Sequence, residues 1–464
     1  VNEICEMLRG YRRMLAEYGV KDYRLLATTA IREAENQQYI IDQIKVKTGF
    51  IVEVADMPLE IFYKYAALLK LAEKHKLTAG SEGLLLVDIS SGLGITLFKE
   101  GEIKYQQTLH IGILRIKESF TKSQRDSLYF QQALNEYIFS VIRPVKYELS
   151  RYKINYLSLS SPETSLLLAM LGRDTGSKFT LVSVADFYRL YDRVKGLNLP
   201  QIMKTFNLSE AKADMVLPMI IVYKQILSLT EVGQIVVPAV HFIDGLILMH
   251  IAEQTGHPWL QTIDRQIVSS ARSLGEKYRY NRLHAEKVEE IALHLFDRMP
   301  KVHGLGRRER LLLKVAAILH DIGKFVSLRR HYIHSYRLIR SSDILGFSEE
   351  EKNIMAHVAL YHSRGITRGG VRVSGELPGD QLVIVAKLAA ILSLADAMDR
   401  SHRQKIVWYE ADLKGEELLV RVKSREDISL EEWTFADKAR LFEEVFGIEP
   451  VLIRQVGEDN VFPS

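Results

Sequence analysis

The stretch LLLKVAAILHDIGK, residues 311–324, is an apolar helix that ends by setting His320 beside Asp321, with Gly323 and Lys324 following at once. A histidine next to a carboxylate at the end of a buried helix is unfavourable unless something pairs with both. A divalent cation is the natural partner, because neutral imidazole and carboxylate together suit Mn, Fe, Zn or Mg. An adjacent His-Asp pair is weak evidence by itself, so further ligands must stand at plausible places. Upstream, Asn281 is placed to cap a helix in which His284, Val288, Ile291 and Leu295 share one face. Downstream, Ser348 and Glu351 have the spacing of a capping box and open a helix with Met355, Val358 and His362 on one stripe. The apolar run 382–400 places Asp396 one turn after Leu392. Each residue has an ordinary structural reading, as a core histidine bonded to a carbonyl or a carboxylate capping a neighbour. Four helices that each direct a polar ligand type inward are much harder to obtain by chance.

That order, with the signature HDIGK, resembles the HD superfamily of metal-dependent phosphohydrolases. The resemblance implies a metal site made by His284, His320, Asp321 and Asp396. His334 (in HYIHSYRLI) and His362 (in ALYHSRG) match positions with which some HD proteins hold a second metal. The dinuclear HD-GYP type carries two adjacent histidines at the later point, where this chain has His362 and then Ser363. Lys324 is placed to meet a phosphate oxygen, with Arg329, Arg330 and Arg364 as looser candidates. A solvated lysine near a helix end is the equal alternative.

At 464 residues the chain is long enough for roughly three domains. Its 47% hydrophobic and 26% charged residues describe an ordinary globular protein. A net charge of +4 permits an anionic substrate but gives no argument for nucleic acid, and none is expected as a partner. The single cysteine, Cys5, excludes an internal disulfide and fits a cytoplasmic setting. No apolar run reaches membrane length; the nearest, 215–229, contains Pro218 and Lys224.

Helix and strand signals alternate over residues 1–124, which argues for a layered α/β domain, and a second α/β unit with a helical insertion follows over 125–258. Gly256, His257 and Pro258 break the pattern and mark a boundary. Residues 259–402 read as helix apart from a loop at 365–379. Residues 403–464 close as a small α/β tail, with a hairpin, a helix over 430–446 and a strand over 450–455.

A second resemblance rests on TTAIREAEN, TGFIVEV, LEIFYKY and LLLVDISSGLGITLF, in that order and spacing. It is to the exopolyphosphatase/guanosine pentaphosphate phosphohydrolase (Ppx/GppA) family, and EEWTFADKARLFEEVFG resembles that family's α/β tail. The implied fold is α/β plus all-α: two actin/hexokinase/Hsp70-like (RNase H-like) lobes, then a helical HD domain and the tail. The first lobe is incomplete, because the family's opening phosphate loop has no counterpart after Val1. The resemblance makes Arg32 a phosphate contact, Glu60 the water-activating base and Asp88 the start of a second phosphate loop that keeps Gly92. Elsewhere the loops depart from the family. Ser90, Ser91 and Leu93 replace two glycines and a serine, Ile95 replaces an acidic residue, and LSSPET (159–164) brings Pro162 and Glu163 to an anion loop. Asp244 and Gly245 survive from a longer motif.

Such changes remove close amide donors and a metal-coordinating carboxylate. At roughly 1–3 kcal/mol for each lost contact, three or four together abolish useful phosphoryl transfer. Residues 1–258 are therefore read as a scaffold, with the HD domain hydrolysing a phosphorylated nucleotide or alarmone through a divalent metal. Two alternatives stay open. One is exopolyphosphatase or pppGpp 5′-phosphohydrolase activity in the N-terminal lobes, and the other is a non-catalytic sensor of alarmone or polyphosphate. A homodimer is expected from the family.

Overall fold

The computed structural model describes all residues except 79–81, 91, 126, 128, 175, 364–376 and 456–464, so Ser91 and Arg364 lie outside the described residues. It divides into two units, Val1–Ile263 and Asp264–Ser464, the division falling within the helix Trp259–Lys277. That is a few residues beyond the break at Gly256–Pro258. No helix among the described residues is long and apolar enough to cross a membrane.

The first unit opens with a small parallel pair, β1 (Leu25–Ala27) and β2 (Val52–Val54). Its main sheet is built on the segment GLLLVDI, apolar at nearly every position, the pattern of a strand covered on both faces. This is β3 (Gly83–Ile89), with all seven residues buried. It lies in a six-stranded sheet with β4 (Leu93–Lys99), β5 (Glu102–Leu109), β6 (Ile154–Ser160), β7 (Phe179–Ser183) and β8 (Gln234–Pro238), in the order β5-β4-β3-β6-β8-β7. β4 and β5 are antiparallel additions, whereas β3, β6 and β8 run parallel. The boundary expected at 124/125 is therefore not a division of this sheet. Pairing of Val87 with Leu159 and Leu86 with Ser158 joins strands from both sides of it.

Four helices matter to the site: α1 (Met57–Lys74), α2 (Phe130–Leu149), α3 (Glu210–Leu227) and α4 (Phe242–Thr255). Leu134, Ile138, Ile142 and Val145, one face of α2, are buried in the same core as Val216, Ile220 and Tyr223 of α3. Gly245 lets α4 lie directly on α1, since a Cβ there would overlap the Tyr63 carbonyl. Asp244 caps its own helix, accepting the His241 N–H at 2.7 Å. The surviving Asp-Gly pair thus has a packing role in this fold.

The second unit is mostly helical: α5 (Arg282–Arg298), α6 (Arg307–Leu319), a 3-10 turn (Ile322–Phe325), α7 (His331–Ser341), α8 (Glu349–Tyr361) and α9 (Gly379–Ala397). Asn281 caps α5 by accepting the His284 N–H, and Ser348 and Glu351 form the expected capping box on α8. α5 packs on α6 and α9, and α8 on α6, α7 and α9, with Val288, Ile291, Val315, Met355, Val358 and Leu392 fully buried. A three-stranded sheet of β9 (Ile406–Lys414), β10 (Glu417–Ser424) and β11 (Glu449–Arg454) follows, and α10 (Ser429–Phe446) packs on both β11 and α9.

Candidate metal centre

Helix periodicity brings His284 inward from the first turn of α5, while α6 delivers His320 and Asp321 at its C-terminal end. Asp396 arrives from the last turn of α9, and His362 follows α8 directly. All five are buried. His284 Nε2 lies 3.3 Å from Asp396 Oδ1 and 3.7 Å from Asp321 Oδ2; His320 Nε2 lies 3.6 Å from each of the same two oxygens. His284, His320 and Asp396 offer ligand atoms within 4.8 Å of one another, and so do His320, Asp321 and His362.

The ring orientations are set from outside the cluster. His284 Nδ1 is 2.9 Å from Asp399 Oδ2, His320 Nδ1 is 2.7 Å from the Ala317 carbonyl, and His362 Nδ1 is 2.7 Å from the Ala359 carbonyl. With each Nδ1–H donating, each Nε2 keeps a lone pair, as metal-binding imidazoles require. Asp399 is itself held by the Gln404 backbone N–H and side-chain amide. The Nε2 atoms of His284 and His320 are buried with no aligned hydrogen-bond partner among the described residues, whereas Asp321 Oδ2 is met by the Lys324 ammonium. Buried polar atoms rarely stay unsatisfied, so these residues fit a divalent cation.

Three neighbours complete the cluster. His331, the first residue of α7, puts Nε2 3.2 Å from Asp321 Oδ1; Lys324 forms an ion pair with Asp321. His402 stacks on His284 with ring centroids 3.6 Å apart. The histidine of HYIHSYRLI that reaches the site is thus His331 and not the expected His334. Gly323 allows α7 to abut the 3-10 turn at the His331 carbonyl, and His334 lies a helical turn further along, half-buried. Asp399 had a legible signal, one turn after Asp396 in ADAMD. His402 had none, because it enters from a loop where its φ is 56°.

Burial opposes charge on His284, yet Asp396, Asp399 and the field of Asp321 raise its pKa to about 9. Burial also opposes ionisation of Asp321 and Asp396, and is overcome for Asp321 by His320 and Lys324 and for Asp396 by His284 and His320, so both carboxyls stay well below the usual range. Burial and the field of His320 push His362 down to about 3. Without a cation, then, His284 carries the compensating proton. Its pKa lies above the ordinary 6.5, so this stabilisation is complete below pH 6.5 and is lost as pH rises through about 9. Metal-free protein is expected to lose on the order of 3 kcal/mol of stability across that window. Metal-loaded protein should not, and metal affinity should tighten by up to ~10-fold per pH unit. Denaturant titrations at pH 6, 7.5 and 9, with and without Mn(II), measure both. Parallel stability curves would contradict it.

In the first unit, α1 carries Glu60 and Lys64 one turn apart. Arg32 Nη1 lies 3.2 Å from Glu60 Oε2 and donates to the Ala55 carbonyl at 2.7 Å. Lys64 Nζ lies 2.5 Å from Asp88 Oδ1, both buried. Burial nonetheless raises the Asp88 pKa, against the pull of Lys64. Glu163, also raised by burial, senses both Lys64 and Asp88, and its Oε2 accepts from Ser161 at 2.9 Å. Gly92 is enclosed, since a Cβ would stand 2.9 Å from Met57 Sδ and 3.0 Å from the Leu109 carbonyl. Ile95 is fully buried in the sheet core. Arg32, Glu60 and Asp88 therefore each have protein partners.

A sequence model described as the Ppx/GppA phosphatase family matches residues 1–248, and one described as domain III of Ppx/GppA phosphatase matches residues 267–438. The chain belongs to the Ppx/GppA phosphatase family. The Ppx/GppA relatives include a guanosine-5′-triphosphate,3′-diphosphate pyrophosphatase of Vibrio vulnificus, 24% identical over 392 residues, or 82% of this chain and 75% of that protein. A protein of the same description from Aeromonas hydrophila is 25% identical over 123 residues, so this chain spans only 25% of its length. Among solved structures, an exopolyphosphatase from Cytophaga hutchinsonii is 21% identical, covering 54% of this chain and 82% of that one at a TM-score of 0.44. At that score the likeness carries no argument of its own. The Ppx/GppA assignment covers both units, which are mixed α/β with a helical C-terminal part.

Proposed function

We propose that this Ppx/GppA protein is a metal-dependent phosphohydrolase whose helical unit is an HD-type domain acting on a phosphorylated nucleotide or alarmone. The observation that supports this is the convergence of His284, His320, Asp321 and Asp396, with His362 beside them, where the buried Nε2 atoms of His284 and His320 have no aligned hydrogen-bond partner among the described residues. A divalent ion held there would acidify a coordinated water and offset charge on the attacked phosphate. The protein's part is positional. Asp399 fixes His284, backbone carbonyls fix His320 and His362, and buried apolar residues of α6, α8 and α9 pack around the cluster. Lys324 neutralises Asp321 in this arrangement; with a dication in that role, its ammonium is available to a phosphate oxygen.

A second reading places the activity in the first unit, as an exopolyphosphatase or pppGpp 5′-phosphohydrolase using Glu60. The family match over 1–248 and the description shared by the Vibrio and Aeromonas relatives favour it over the first, although Asp88 is neutralised by Lys64. A homodimer and a cytoplasmic setting belong to the proposal on family grounds.

Phosphate release from pppGpp, ppGpp, ADP and long-chain polyphosphate, with Mn(II) or Mg(II), separates the readings. Under the first, His320→Ala loses at least ~100-fold in rate while Glu60→Gln stays within twofold. The reverse pattern assigns the chemistry to the first unit. Wild-type inertness on all substrates with either metal would sink both.

A further inference from the structure

A cavity of about 360 Å³ opens beside Asp321, His331, His362 and Asp396. It is also lined by Arg400 and by residues of α10, where Trp433 and Asp437 lie a helical turn apart, as do Thr434 and Lys438. These residues belong to the tail, outside the metal-ligand pattern, and nothing in the ligand chemistry requires them.

Their chemistry is nonetheless selective. Lys438 is half-buried and donates to the carbonyls of His362 at 3.0 Å and Ser363 at 2.6 Å, which anchors its ammonium beside the cluster with a third N–H to spare. Arg400 adds a second cation at the cavity edge. Trp433 lines the same space yet is 72% exposed, leaving a large flat apolar surface beside a polar site. Asp437 points the other way electrostatically, because a carboxylate on the wall repels a chain of phosphates but accepts hydrogen bonds from an amino or imino group. An inorganic polyphosphate would satisfy the two cations and clash with Asp437, and it has no use for Trp433. A nucleoside phosphate uses all four.

We propose that α10 forms the recognition wall of the metal centre and selects a nucleoside phosphate over inorganic polyphosphate: Trp433 stacks on the base, Asp437 accepts from the base edge, and Lys438 with Arg400 holds phosphate oxygens next to the metal ligands. The volume suits a ligand of that size. This rests on the helical-unit reading above and deepens it by naming what the site discriminates.

The test uses the full chain loaded with Mn(II), with ADP and inorganic tripolyphosphate as probes in calorimetry. ADP is expected to bind at least ~10-fold more tightly than tripolyphosphate. Trp433→Ala should weaken ADP by roughly 5- to 100-fold, as expected for loss of one base-aromatic stack, and leave tripolyphosphate within twofold; Trp433→Phe should restore most of the loss. Lys438→Gln should weaken both probes. Because Trp433 is exposed, its replacement leaves the fold intact, and equal Mn(II) content in wild type and Trp433→Ala checks this. Tripolyphosphate binding as tightly as ADP, or an ADP affinity indifferent to Trp433, overturns the inference while leaving the metal centre standing. A wild-type chain that takes up no Mn(II) overturns the reading beneath it, and this inference with it.

Discussion

Asp396→Ala is expected to yield folded protein that no longer retains a divalent metal. Asp396 Oδ1 lies 3.3 Å from His284 Nε2 and 3.6 Å from His320 Nε2, so its loss removes one of the two carboxylates, with Asp321, that bridge the imidazoles of α5 and α6. In the metal-free state the change removes the carboxylate that His284 and His320 hold ionised, a loss partly offset because Asp396 no longer opposes ionisation of Asp321, so folding is checked separately by circular dichroism. A bound ion at 100 times its dissociation constant stabilises by about 2.7 kcal/mol, which raises the melting temperature by roughly 5–10 °C if the unit Asp264–Ser464 melts by itself and by about 3 °C if the whole chain melts together. That rise should appear in wild type and vanish in Asp396→Ala, with metal content falling from stoichiometric to background. Asp399→Asn, which removes only the outer partner of His284, should weaken metal binding by about 10- to 100-fold without abolishing it. Stoichiometric metal in Asp396→Ala would show that the cluster is not the binding site.

The second large effect is at Gly323. A Cβ there would overlap the His331 carbonyl, the Ser335 amide and the Ser335 hydroxyl. Two of these are backbone, so no side-chain rotation relieves the clash; α7 or the 3-10 turn must move. The Gly323 N–H also donates to Ser335 Oγ at 2.9 Å in a buried position, and that bond would break with the shift. Overpacking of this kind destabilises by about 1–3 kcal/mol, and the lost buried hydrogen bond adds about 1 more. Gly323→Ala should lower the urea midpoint accordingly and loosen His331 from Asp321. Gly379→Ala is the matched control: no neighbouring atom among the described residues lies within 4 Å of its added Cβ at the start of α9, and its stability should change by less than roughly 0.5 kcal/mol in magnitude. Equal midpoints for the two variants would refute the close-packing explanation.

Much of the candidate cluster was legible because its residues obey local rules. His284 follows an Asn cap on a helix with a buried face, His320-Asp321 ends an apolar helix, and Asp396 sits one turn beyond Leu392; periodicity of 3.6 then dictates the inward side. His362 was found in the same way, from its stripe with Met355 and Val358. Strand and helix positions in the first unit were legible for the same reason. The extent of its sheet was not, since β3 pairs with β6 across about 70 residues and pairing partners leave little local trace.

Residue types and helical spacing by themselves pointed to His284, His320, Asp321, His362 and Asp396 as inward-facing side chains in the second unit. Tertiary structure alone decided that His331 and not His334 meets Asp321, that Asp399 and His402 brace His284, and that Lys64 neutralises Asp88. Each of those depends on how closely two separate elements approach, which at Gly323 is set by a missing side chain and at His402 by a loop leaving α9. Periodicity within one element gives a residue's direction; the distance to its partner is fixed only when the elements pack.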